Sequence, residues 1–181
     1  VFMVKGAIVG LGKMGLSHAA ILGAMPQVEM VGLCDSSGLV LDAFRKLSSL
    51  PVFDDFDKMM KQTSPDFLVV ATPTKFHYDM VKLALEKGVH VFCEKPFCLD
   101  PKQAIELEAL AKTKKLVNQV GYHNHFLGTF RELKKVVAQK AIGEIVHFQG
   151  EAYGPVVLKP KGDSWRSKPS DGGGCLFDYA S

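Results

Sequence analysis

The sequence predicts an α/β protein, a doubly wound parallel sheet over residues 1–121 followed by a region of different, α+β pattern over 122–181. Two observations carry this. Apolar runs of strand length alternate with segments of helical period, the pattern of βαβ units. After Gly121 the alternation stops, and a helix, a long strand-like run and a Gly-, Pro-, Lys- and Ser-rich segment replace it.

The elements follow in order. Residues 5–9 are a short buried strand ending in glycines, and residues 13–25 a helix that Pro26 stops. Residues 28–33 form the second strand. Ser36 or Ser37 can cap the next helix, with Leu39, Val40, Ala43, Phe44 and Leu47 on its apolar side. Val52-Phe53 is a short third strand and residues 54–61 a short helix. Residues 66–71 are a strand, continuously apolar from Phe67 on, as a strand covered on both faces should be. A helix over 74–87 has Phe76, Met80, Leu83 and Ala84 at helical spacing, and Gly88 stands where a terminating glycine belongs. Residues 89–92 are the fifth strand. Asp100-Pro101-Lys102-Gln103 is a well-formed helix start, with Ala104, Ile105, Leu107, Leu110 and Ala111 turned inward. Residues 116–120 are the sixth strand. Beyond it, residues 127–140 read as a helix with Phe130, Leu133 and Val137 on one face, and residues 144–153 as a long strand.

Composition excludes several classes. With 47% hydrophobic and 23% charged residues the chain is not intrinsically disordered. No apolar run approaches the roughly 18 residues that a membrane span needs. Residues 1–5 lead into the first strand without signal-peptide architecture. A net charge of +3 gives no electrostatic footprint for nucleic acid. Cys34, Cys93, Cys98 and Cys175 form no CxxC pair, so reduced thiols and a cytoplasmic location are expected. No metal site and no nucleic-acid or membrane partner are expected. At about 150 residues per domain, the remainder of a 181-residue chain is too short for a second independent core.

The chemistry begins with Gly10-Leu11-Gly12-Lys13-Met14-Gly15. GxGxxG is weak alone, but here it follows a strand and opens a helix. The first glycine permits the turn, the second lets a pyrophosphate approach the backbone, and the third lets the helix pack on the strand. The helix start then offers N–H groups to the anion. Asp35 lies 20 positions after Gly15, where a carboxylate meets the adenosine ribose hydroxyls. Ser36 and Ser37 follow it, with no basic residue until Arg45, so NAD is favoured over NADP. The alternative for Asp35 is a helix cap.

Five further groups stand at strand ends or beyond the junction. Thr72-Pro73 ends the fourth strand, and Thr72 could bond the cofactor. His77, one turn later, is either a cofactor contact or a structural cap. Glu94-Lys95-Pro96 ends the fifth strand and is either a plain charged turn or a place where a lysine holds a substrate hydroxyl and stabilises its alkoxide. His123-Asn124-His125 follows the sixth; two histidines two apart suggest metal, but no further ligands of suitable spacing appear, and substrate or nicotinamide contact is the better reading. Residues 154–174, which include Trp165, have the composition of a surface or cleft lining, making Trp165 a substrate-contact candidate. Gly172-Gly173-Gly174 opens an apparent helix that carries Asp178.

In this order and spacing, Gly10 to Gly15, Asp35, Ala71-Thr72-Pro73 with His77, Glu94-Lys95-Pro96, and Gly172-Gly173-Gly174 with Asp178 resemble the glucose–fructose oxidoreductase / inositol dehydrogenase / MocA (Gfo/Idh/MocA) family. The resemblance implies a Rossmann-type domain followed by an open antiparallel sheet domain, of which residues 122–181 would be the truncated α+β start. It implies NAD(P)-dependent hydride transfer at a secondary alcohol or ketone of a sugar, nucleotide sugar or cyclic polyol, by a homodimer or homotetramer when full length. It places Lys95 at the reacting oxygen and Asp178 beside a catalytic histidine expected one residue after Ser181. Cofactor contacts are then expected from the glycine loop, Asp35, Ser36, Thr72, Pro73, His77, Glu94 and Lys95. Substrate contacts are expected from Lys95, His123, Asn124, Trp165 and Asp178. Relatives often carry Arg where this chain has His123-Asn124-His125, and run to about twice its length, so the chain alone is expected to bind dinucleotide without turnover. Two other readings remain: a catalytically inactive nucleotide-binding regulator, and a reductase of imines or enones on the same fold.

Overall fold

The computed structural model describes residues 3–151 together with residues 168, 171, 173 and 174. Strands β1 (Val4–Val9), β2 (Val28–Cys34), β3 (Val52–Phe53), β4 (Phe67–Val70), β5 (His90–Cys93) and β6 (Asn118–Val120) form one six-stranded sheet, ordered β3-β2-β1-β4-β5-β6. Every pairing is parallel. Helices α1 (Lys13–Gly23), α2 (Gly38–Leu47), α3 (Phe56–Thr63), α4 (His77–Glu86) and α5 (Pro101–Lys114) make the connections. The doubly wound sheet expected from the alternation is present. From β1 the chain winds outward to β3, then crosses back to β4 and winds the other way. All strand C-termini therefore share one edge, and the reversal opens a crevice there between β1 and β4.

Alternating residues feed the two faces. Ala7 and Val9 of β1, with Leu68 and Val70 of β4, join one core cluster; Ile8 and Val69 join the other. Met59 and Met60 of α3, Val81, Ala84 and Leu85 of α4, and Leu107 and Ala111 of α5 cover the first face. Ala19 and Leu22 of α1, with Leu41 and Phe44 of α2, cover the second.

Three helix faces differ from expectation. In α2, Leu41 is buried while Leu39 and Leu47 are 84% and 85% exposed, and Ala43 is exposed too. In α5, Ile105 is exposed. Both helices carry apolar residues on more than one row, so spacing alone leaves the inward row open. In α4 the buried row is His77, Val81, Ala84 and Leu85, one position beyond the expected one, and Phe76 is exposed. The cause is a 3-10 turn over Thr74–Phe76 before the helix proper, which winds tighter than an α-helix and shifts the facing row.

Past the sheet, α6 (Gly128–Ala138) follows a 3-10 turn at His123–Phe126. Phe130, Leu133 and Val137 share its apolar face, and all three are exposed. The strand expected over 144–153 does not form over 144–151. Among the described residues no neighbouring strand pairs with it, and an unpaired strand has no ladder to stabilise it. Val146 is 95% and Phe148 80% exposed.

Candidate active site

The glycine loop joins β1 to α1 at the crevice. Gly10 has φ +88°, and a Cβ there would meet the Ala71 and Thr72 backbone at 2.6–2.7 Å. A Cβ on Gly15 would overlap the Gly10 carbonyl oxygen, so α1 lies directly on the loop. Gly12 differs: a Cβ there meets nothing within 4 Å, and its φ of −67° and ψ of −172° suit any residue. The protein's own packing gives no reason for glycine at 12; a ligand approaching the backbone does. The helix start agrees. Asp55 caps α3 and Asp100 caps α5 with side-chain carboxylates. In contrast, α1 has neither a side-chain cap nor an acidic residue in its first turn, leaving its positive end open to an anion.

Asp35 stands at the end of β2 against this loop. Its Oδ2 accepts the Leu11 N–H at 2.6 Å and its Oδ1 the Ser37 N–H at 2.8 Å. The carboxylate thus supports the start of α2, as the capping alternative expects. It is also pinned to the glycine loop, with acceptor capacity left on both oxygens. Open backbone at Gly12 and acceptor oxygens on Asp35 thus stand side by side at the crevice. Ser36 is exposed beside them. Cys34, just before Asp35, is buried, and burial with the Asp35 charge pushes its thiol up to about 12.

The ends of β4 and β5 are tied together by His77. It is 1% exposed, with Nε2 2.8 Å from the Thr72 carbonyl oxygen and Nδ1 3.0 Å from that of Pro96. Both of its ring nitrogens lie against carbonyl oxygens, one of which accepts the N–H of the neutral ring, and neither nitrogen is turned toward the crevice. Burial lowers its pKa below the ordinary imidazole value. Its contacts with the Thr72, Pro96 and Phe97 backbone and the charge of Glu94 oppose burial without overcoming it. The Thr72 hydroxyl lies 3.7 Å from Met80 Sδ, and Pro73 is exposed.

Glu94 and Lys95 follow β5 at the same edge, both partly buried, and the Lys95–Pro96 peptide bond is cis. Glu94 Oε1 lies 2.7 Å from His18 Nε2 of α1, and its Oε2 accepts the Lys95 N–H at 3.3 Å. Burial raises the Glu94 pKa, but the His18 hydrogen bond and charge, with those of Lys95, outweigh it and hold the carboxyl below its ordinary value. The motif reading missed His18. Its signal was its place three residues after Gly15, on the helix face that Gly15 brings against the sheet.

The other candidates are less gathered. His123 and Asn124 are exposed on the turn after β6. Among the described residues no three His, Cys, Asp or Glu side chains come together for a metal ion. Trp165 and Asp178 lie outside the described residues. Asp171 stands near the end of β4, its Oδ1 3.3 Å from Lys75 Nζ.

A family model described as an oxidoreductase family with an NAD-binding Rossmann fold matches residues 4–122, and the Gfo/Idh/MocA C-terminal domain matches 130–181. The chain belongs to the Gfo/Idh/MocA oxidoreductase family. Its first domain is the family's NAD-binding Rossmann domain. Among relatives, D-glucoside 3-dehydrogenase of Escherichia coli is 32% identical over 174 residues, covering 95% of this chain and 49% of that protein. The scyllo-inositol 2-dehydrogenase (NAD(+)) of Bacillus subtilis is 26% identical, covering 81% of this chain and 44% of that protein. A scyllo-inositol dehydrogenase from Lactobacillus casei, solved with NAD(H) and scyllo-inositol, superposes with a TM-score of 0.71 at 30% identity, covering 78% of this chain and 43% of that one. The chain spans about half the length of the curated relatives it matches. No helix among the described residues is long and apolar enough to cross a membrane.

Proposed function

We propose that the protein carrying this chain is an NAD-dependent dehydrogenase that moves hydride between nicotinamide and a secondary alcohol or ketone of a sugar-like or polyol substrate. The observation that carries this reading is one shared edge. The glycine cradle and Asp35 hold dinucleotide-compatible geometry there, and Lys95 stands two strands away at the same edge. When bound, the cofactor supplies the hydride acceptor or donor. The chain's own residues do the rest. Gly12 and the open start of α1 take the pyrophosphate, and Asp35 takes the ribose hydroxyls. Lys95 takes the substrate oxygen, donating a hydrogen bond that favours its alkoxide form. Asp178 would orient an imidazole base, as a carboxylate partner can. His123, Asn124 and Trp165 would contact the substrate from residues 122–181, read as the start of the substrate domain. We take the protein to be cytoplasmic and homo-oligomeric. Relatives named as inositol and glucoside dehydrogenases support this substrate class.

The test is Lys95→Ala in the full-length protein. Turnover should fall by at least about a hundredfold, as when a group bonding only the transition state is removed. The dissociation constant for NAD should stay within about threefold, because the glycine loop and Asp35, which take the pyrophosphate and ribose, are unchanged. Equal loss of both would remove Lys95 from the reacting oxygen.

A further inference from the structure

The corner Glu94–Lys95–Pro96 is held on two sides, and both holders are histidines. On one side His77 faces the Pro96 carbonyl at 3.0 Å. On the other, His18 meets the Glu94 carboxylate at 2.7 Å, across 76 residues of sequence. The two side chains of that second contact are only 20% and 14% exposed. The His18 ring is set by Phe92 of β5, edge-on at 5.2 Å between centroids. Glu94 also fills the space over Gly121, where a Cβ would come within 3.3 Å of Oε2. That oxygen in turn accepts the Lys95 N–H.

The path from His18 leads back to the nucleotide loop. His18 lies three residues after Gly15, so both project from one face of α1. Ala19 and Leu22 continue that face and pack on the second core cluster. Gly15 seats α1 directly against the Gly10 carbonyl. The first turn that would receive the pyrophosphate and the side chain that holds Glu94 therefore belong to one rigid segment. Without its donor, a carboxylate this buried must turn toward water or take up a proton. Either response disturbs the acceptor that holds the Lys95 backbone.

We propose that His18 is a positioning residue that couples the dinucleotide loop to Lys95 through the Glu94 carboxylate. The proposal rests on the assignment of Lys95 made above, and its test separates the two. The variants His18→Ala, His18→Gln and Lys95→Ala are compared in the full-length protein. The readouts are turnover, NAD dissociation constant, melting temperature, and the acetylation rate of Lys95 by an amine-reactive reagent, followed by peptide mass spectrometry without substrate. In His18→Ala, turnover should fall at least about tenfold, since small displacements of a reacting group cost that much. Lys95 acetylation should change at least about threefold, and NAD affinity by less than that, because no group of the cradle is removed. Gln can donate to Glu94 from its amide, so His18→Gln should restore both turnover and the acetylation rate.

Wild-type turnover and Lys95 reactivity in His18→Ala would overturn the coupling. So would a His18→Gln protein that melts like wild type yet is as impaired as the alanine variant. If Lys95→Ala keeps wild-type turnover, the catalytic assignment of Lys95 fails, and the acetylation comparison alone judges His18. If alanine at 18 prevents folding, His18→Asn replaces it: impairment with Asn but not Gln supports the coupling, and wild-type behaviour in both overturns it.

Discussion

Asp35→Asn is the sharpest test of the cofactor site, because the geometry fixes what is lost. The carboxylate is pinned at two points, by the Leu11 N–H at 2.6 Å and the Ser37 N–H at 2.8 Å. Each oxygen keeps acceptor capacity for one ribose hydroxyl. Asparagine turns one oxygen into an NH2 group, which cannot accept from a hydroxyl and must face a backbone N–H. At least one hydrogen bond to a charged acceptor disappears, worth about 1.5–3 kcal/mol. The dissociation constant for NAD should therefore rise by about 10- to 150-fold. NADP should respond oppositely. Its 2′-phosphate would stand close to the carboxylate, and like charges about 4 Å apart repel by about 1 kcal/mol in water and about 4 kcal/mol near a protein surface. Asparagine removes that repulsion, so the preference for NAD should narrow at least about tenfold. Titration calorimetry with both dinucleotides at one ionic strength measures it, with circular dichroism to confirm the fold. If NAD affinity moves by less than about threefold, or both dinucleotides weaken by one factor, Asp35 does not read the ribose.

The second and third glycines of the loop should separate binding from stability. Gly12→Ala should leave folding stability within about 1 kcal/mol yet weaken NAD at least about tenfold by blocking close approach to the backbone. Gly15→Ala should cost at least about 2 kcal/mol, from overpacking against the Gly10 carbonyl; equal melting of the two variants would refute the distinction. Because the folded His77 pKa is lowered from 6.5, the unfolded chain binds its proton first, and stability should be lost as pH falls below about 6.5. His77→Gln should flatten that part of the melting-temperature profile, and a wild-type profile with no slope there would refute the burial account. The depressed Glu94 carboxyl adds a separate loss in acid, below about 4.5, that Glu94→Gln should remove. Val146→Ser with Phe148→Ser should change the stability of this chain by less than about 0.5 kcal/mol and lower its binding of an apolar dye; a large fall in melting temperature would mean these side chains are packed.

The fold was legible because its signals are local. A continuous apolar run such as Phe67–Val70 has few homes other than a central strand. Asp100 and Pro101 start α5 by chemistry within one turn. Facing was less legible. Phe76 and Ile105 were expected inside and are exposed, because the inward row depends on how the preceding loop delivers the helix. The run after Gly143 shows the opposite limit. Ile145, Val146 and Phe148 have strand chemistry, but a strand exists only with a partner, and among the described residues there is none.

The candidate site divides along the same line. Its motifs could be found because a parallel sheet gathers every strand end on one edge, which turns order along the chain into proximity. The contacts between motifs could not be found that way. His77, one turn after a strand end, was open between a cofactor contact and a structural cap, and the structure places it in the core with a carbonyl oxygen beside each ring nitrogen. His18 belonged to no motif, yet Gly15 had already determined its direction. A glycine that must face the strand makes residues three, four and seven further on face it too, and these are His18, Ala19 and Leu22. A polar ring on such a face needs a polar partner, and the end of β5 supplies Glu94. The third glycine of the loop thus does more than let a helix approach a strand. By fixing the rotation of α1, it sets which side chain reaches the neighbour of Lys95.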